Sequence, residues 1–116
     1  MNIYIICAVR NANESATQAV RAYAKFMREN GHQVHFPPDD VDQNDPTGLR
    51  ICEAHRTAME AADEVHIFWD AESKGSHFDL GMAFALRKKL VPVSDFEDTV
   101  GKSYWKVINE LTATQG

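Results

Sequence analysis

An α/β fold built on a parallel sheet is what this sequence predicts, on two observations. Short apolar runs rich in β-branched residues alternate with longer stretches whose apolar residues recur at helical spacing. The first and third of those runs, residues 2–9 and 64–69, are apolar over most of their length, as expected of strands covered on both faces. Strand–helix–strand repeats close into parallel sheets because right-handed crossovers lay helices against the sheet.

Residues 2–9 are predicted as the first strand. Asn13 or Ser15 can cap a helix to about Asn30, with Ala16, Ala19, Val20, Tyr23, Ala24 and Met27 as its apolar stripe and Gly31 as its stop. A short strand over 33–36 ends at Pro37-Pro38. The Asp-, Asn- and Pro-rich segment 37–48 is read as lacking regular structure. A second helix is predicted from about Leu49 to Ala62, with Ile51, His55, Ala58, Met59 and Ala62 on one side. Strand three follows at 64–69, a helix at 76–88, strand four at 90–93, and a last helix holding 103–111. The simplest arrangement is a flavodoxin-like sandwich, a sheet of four to five strands in order 2-1-3-4(-5). Its topological switch falls between strands one and three, and ligands bind beyond the carboxyl ends of the strands there. Two loops, 9–13 and 70–76, are therefore expected to line a crevice.

A chain of 116 residues is expected to form a single domain, 1–116. The net charge of −5 argues against polymeric nucleic acid as a partner. No apolar run approaches the ~20 residues of a membrane span, and the N-terminus does not read as a signal peptide. Two cysteines, Cys7 and Cys52, make no disulfide framework, which points to a cytoplasmic protein. The five histidines share no compact spacing, so no metal site is expected, nor any cofactor.

The richest stretch is 64–86, EVHIFWDAESKGSHFDLGMAFAL. A strand there feeds Ser73, Gly75 and Ser76 at the start of a helix, where unpaired N–H groups and the helix dipole favour an anion. Asp79 is expected in that helix's first turn, as a nucleophile or base beside the cradle. An acid in a first turn also simply stabilises the dipole, by ~0.3–1 kcal/mol. Arg10, emerging from strand one, is placed to clamp a phosphate or carboxylate; its alternative is a surface ion pair. Asp70 should reach the crevice, while Glu72 is read as solvated. His77 lies two residues from Asp79 and can tune it or touch ligand. Tyr4 reads as core, its hydroxyl needing a partner if buried. His55, on the apolar side of its helix, reads as a core histidine.

These residues resemble the nucleoside 2-deoxyribosyltransferase family, and within it the branch of 5′-monophosphate deoxynucleoside N-hydrolases. The family's Ser-x-Gly-x-x-x-Glu-Leu-Gly segment is matched by Ser73-Lys74-Gly75-Ser76-His77-Phe78-Asp79-Leu80-Gly81, after Ala62-Asp63 and a strand. Tyr4 and Arg10 fall at the branch's spacing. The resemblance implies a flavodoxin-like enzyme that cleaves an N-glycosidic bond, by hydrolysis or transfer, through a carboxylate that attacks the anomeric carbon. It implies Asp79 as nucleophile, Tyr4 beside it and the sugar, and Arg10 and Ser73 at the 5′-phosphate. It also implies a homodimer or higher homo-oligomer. Three positions depart from the pattern: Asp79 stands for glutamate, Cys7-Ala8 for a Gly-Ser pair, and His55 for an aspartate on the second helix. The alternative is a catalytically impaired nucleotide-binding module of the same fold. A flavin or phosphoacceptor domain is weaker, since strand one lacks a phosphoacceptor's acidic pair.

Overall fold

The order of the strands in the sheet sets the position of everything else. In a computed structural model of the chain, residues 1–9, 13–94 and 100–115 are described. The elements run β1 (Asn2–Ile6), α1 (Glu14–Glu29), β2 (Gln33–His35), α2 (Pro37–Asp40), α3 (Leu49–Ala61), β3 (Glu64–Ile67), α4 (Lys74–Ala85), β4 (Lys89–Pro92) and α5 (Tyr104–Gln115). Among the described residues the sheet has four strands, in order β2-β1-β3-β4. Every pair is parallel, with Tyr4 opposite His35 on one side and Val65 on the other. This is the flavodoxin-like arrangement that the sequence predicts.

Alternation along β1 divides the interior in two. Ile3, Ile5 and Cys7 pack with Val20 and Ala24 of α1 and with Phe36. Tyr4 and Ile6 face the other way, into a cluster with Met59 of α3, Leu80 and Ala83 of α4, and Ile108 of α5. Each isoleucine, leucine, methionine, valine or phenylalanine among them contributes roughly 1.5–3 kcal/mol on burial, so the central strand is fixed from both faces.

Local chemistry explains where the elements begin. Asn13 accepts a hydrogen bond from Ala16 N–H and caps α1. Beyond the other end of α1, Gly31 takes the left-handed conformation, φ 89°. Three expectations are corrected. Strand one ends at Ile6 rather than residue 9: β2 has only three residues and β3 stops at Ile67, so Cys7–Val9 have no ladder to join. The segment after β2 is not wholly irregular, because Pro37 at the first helical position has its φ already set and starts the single turn α2. Helix α4 begins at Lys74, two residues earlier than expected, because Ser73 caps it.

Candidate active site

The Ser73 side chain accepts from Ser76 N–H at 3.1 Å, which satisfies one of the first-turn donors of α4. Lys74, Gly75 and Ser76 are therefore helical, and the cradle is the first turn of α4 rather than a loop. The earlier start also moves Asp79 into the second turn. Stabilisation by the helix dipole falls off within the first turn, so that reading of Asp79 loses its ground.

What holds Asp79 is tertiary. The residue is buried, 5% exposed. Tyr4, fully buried on β1, donates its hydroxyl to Asp79 Oδ2 at 2.8 Å. His55 of α3 places Nδ1 3.3 Å from Asp79 Oδ1. Both readings of Tyr4 meet here, since it is core and its hydroxyl is spent on the acid. Burial, then the charge of Asp79 and the hydrogen bond to it, push the Tyr4 phenol far above its usual range, so it stays protonated and donates. Burial, followed by the same charge, pushes the Cys7 thiol up to about 12, which leaves no thiolate nucleophile there at neutral pH. A carboxylate only accepts hydrogen bonds, so His55 meets an ionised Asp79 as a donor through Nδ1, and its other ring nitrogen is Nε2. That Nε2 is buried and has no partner among the described residues. His35 stacks on Tyr4 with ring centroids 5.2 Å apart, and burial lowers its pKa, so it stays neutral.

Beside this cluster lies a cavity of about 710 Å³, large enough for a nucleotide. Asp79, His55 and Cys7 line it, together with Asp70, Ser73 and Gly75 from the β3–α4 connection. Asp70 is oriented by a bond from Glu72 N–H to its Oδ1 at 2.9 Å. Three of the expected site residues do not line it: Tyr4 meets it only through Asp79, and Ser76 and His77 lie elsewhere. Ser76 is 1% exposed, its hydroxyl has no partner among the described residues, and it is not among the lining residues. His77 donates from Nδ1 to the Ser73 carbonyl at 2.7 Å and packs against Trp69 and Tyr104 on the far side of the turn. Arg10 lies outside the described residues.

A third wall was missed by the sequence reading. Pro37, Gln43, Gly48, Ile51 and Cys52 complete the cavity from the segment after β2 and the start of α3. The signal was present: in a parallel sheet, the loop after β2 also leaves the carboxyl edge where the crevice opens. Among the described residues no cluster of His, Cys, Asp and Glu is arranged to hold a metal ion. No helix in the described residues is long and apolar enough to cross a membrane.

No family model matches the chain, and no curated protein matches it by sequence. Solved structures do match in shape. A CMP N-glycosidase of Clostridium botulinum, BcmB, superposes with a TM-score of 0.70 at 16% identity, covering 97% of this chain and 83% of its own. A 2-deoxyribosyltransferase of Bacillus psychrosaccharolyticus gives 0.68 at 17% identity, covering 94% of this chain and 91% of its own. The chain thus has the fold of a solved N-glycosidase and a solved deoxyribosyltransferase over almost its whole length.

Proposed function

We propose that the chain is an enzyme of the nucleoside 2-deoxyribosyltransferase family that cleaves the N-glycosidic bond of a nucleoside or nucleoside 5′-monophosphate. The observation that carries this reading is the buried carboxylate of Asp79, held by Tyr4 and His55 at the wall of a nucleotide-sized cavity. Two similar folds named for N-glycosidase and deoxyribosyltransferase activity support it.

In the proposed reaction an Asp79 oxygen forms a bond to the anomeric carbon as the carbon–nitrogen bond breaks. The electron pair leaves on the base nitrogen, which takes a proton from solvent. Water, or an acceptor base in a transfer, then attacks the same carbon and gives up a proton to solvent as the ester electron pair returns to Asp79. Tyr4 holds the carboxylate in place. Arg10, Ser73 and the Gly75 N–H at the head of α4 receive the 5′-phosphate, and Asp70 receives a sugar hydroxyl. Ser76 and His77 act through Ser73, whose side chain and carbonyl they hold. No cofactor or metal has a part, and the setting is cytoplasmic. Exposed Phe78, Phe84 and Tyr104 on α4 and α5 support association into a homodimer or larger homo-oligomer, which light scattering would report.

A second reading rests on one observation: both Asp79 oxygens already have hydrogen-bonding partners on a side chain one methylene shorter than glutamate. That favours a binding module without turnover. Chromatography of free base released from CMP, AMP and their nucleosides separates the two. The enzyme releases base; Asp79→Asn lowers release at least ~1,000-fold while calorimetry still detects binding. Arg10→Ala weakens the monophosphates more than the nucleosides. Saturable binding without release by the wild type decides for the module, and release that survives Asp79→Asn removes Asp79 as nucleophile.

A further inference from the structure

Charge is divided unevenly around the cavity. Among the described residues that line it, Asp70, Glu72 and Asp79 carry carboxylates, and Lys74 is the one lysine or arginine. None of the three acids is paired with a lysine or arginine among the described residues. Asp79 is the extreme case, a buried carboxylate whose partners are a phenol and an imidazole. A carboxylate held in this way attracts a positive charge that a ligand brings to it. The same neighbourhood is poor in usable acids. Tyr4 and His55 both turn a donor to Asp79, Tyr4 does not line the cavity, and the other nitrogen of His55 is buried. Burial and the charge of Asp79 push the Cys7 thiol up to about 12, so it keeps its proton. An ordinary base, which departs with an electron pair that a proton must meet, finds no donor in these three side chains.

Both features fit one kind of substrate. Resting on the proposed reading of Asp79 as nucleophile, we infer that the preferred substrates are N-glycosides whose base carries a fixed positive charge, such as pyridinium nucleosides and their 5′-monophosphates. In these the charged ring nitrogen is bonded to the anomeric carbon itself, next to the carboxylate that attacks there. As an Asp79 oxygen bonds to that carbon, the carbon–nitrogen electron pair withdraws onto the ring nitrogen and cancels its charge. The base leaves as a neutral molecule and needs no proton. Water then attacks the same carbon, one proton passes to solvent, and the ester electron pair returns to Asp79. Each turnover by this route releases one proton, whereas a neutral base takes up a proton on leaving and no net change remains. Attraction of the substrate and departure of the base thus draw on the same carboxylate.

The test takes 5′-monophosphates with nicotinamide, 1,4-dihydronicotinamide or cytosine as the base, each on ribose and on 2-deoxyribose so that the sugar is left open. The dihydro compound keeps the outline of nicotinamide and loses its charge. Kd comes from calorimetry, kcat/KM from base release corrected for uncatalysed loss, and the proton count from a pH indicator. The nicotinamide compound is expected to bind ~10-fold or more tighter than its dihydro form. Its kcat/KM should exceed that of the cytosine compound by ~100-fold or more, the low end of what a general acid is worth, with one proton released per turnover. Asp79→Asn keeps the size and removes the charge, so the Kd ratio of charged to neutral compound should move toward one. Glu72→Gln, at an exposed position, should shift that ratio by ~2- to 5-fold in the same direction. A ratio unmoved in both variants removes the carboxylates as its cause. Equal Kd values for the charged and neutral compounds overturn the inference. Cytosine released as readily as nicotinamide also overturns it, while the enzyme reading stands. If no base is released from any compound, the enzyme reading fails, and the Kd pair alone decides the preference for a cation. No saturable binding of any compound sinks both.

Discussion

Aspartates do different things in two regions of this molecule. Between Pro37 and Gly48 they stand at the surface and meet cations or backbone. Asp39 forms a paired bond with Arg21, Asp40 meets Arg28, and Asp45 accepts from Thr47 and Ile51 N–H to tie the loop to α3. Asp79, by contrast, is buried, and among the described residues its hydrogen-bonding partners are a phenol and an imidazole, not a guanidinium or ammonium. A carboxylate neutralised by arginine is structural. A buried one oriented by groups that need carry no charge is the kind of carboxylate the proposed reaction would use.

The sharpest way to break this contrast is to lengthen the buried acid. Asp79→Glu pushes the carboxylate out of register with both Tyr4 and His55, and we expect base release to fall ~100-fold, since ~1 Å of misplacement has that cost. A gain in rate would mean that the partners do not define the working position. Removing one partner should do less. Tyr4→Phe leaves Asp79 Oδ2 buried without its donor, and we expect ~1–3 kcal/mol of stability lost by denaturant unfolding, with base release reduced ~10-fold. Unchanged stability would show that Oδ2 finds another donor.

The smallest effect belongs to the surface. The hydrogen bond from Arg21 holds the Asp39 carboxyl below its ordinary value of 3.8. A depressed carboxylate stabilises the fold above that value and loses its contribution as pH falls through the lower, folded one. Asp39→Asn should therefore lower the thermal midpoint slightly at pH 7. The difference should shrink in high salt and vanish in strong acid, with base release untouched. Lost activity would mean that the α1–α2 contact supports the cavity.

How much of this was legible follows from how local each signal is. Strand order came from periodicity and topology, because an apolar run covered on both faces leaves few places for β1 and β3. Strand ends did not: the apolar run to Val9 says nothing of how short β2 and β3 are, and pairing is decided by the neighbour. Ser73 was picked out as a ligand residue, while its capping bond was missed, although a serine three residues before another polar residue is itself a helix-start pattern. Asp79 was singled out as a candidate from its segment and by resemblance. His55 was marked only as a departure from the family's pattern, and its contact with the acid was not read. On its own helix it is one more residue of the inner face, and only the packing of α3 beside α4 brings it to the acid.

The bond from Tyr4 to Asp79 joins residues 75 apart in the chain, and His55 lies 24 from Asp79. No contiguous fragment short of residues 4–79 can contain this arrangement. During folding, the three side chains meet only after the central strand has docked and both crossover helices have packed, so the carboxylate should acquire its partners late. On unfolding, opening of any one of β1, α3 or α4 dismantles the cluster. Under the proposed reading, base release and the global fold should then be lost over one and the same denaturant range, so that release would gauge intact chains in a sample.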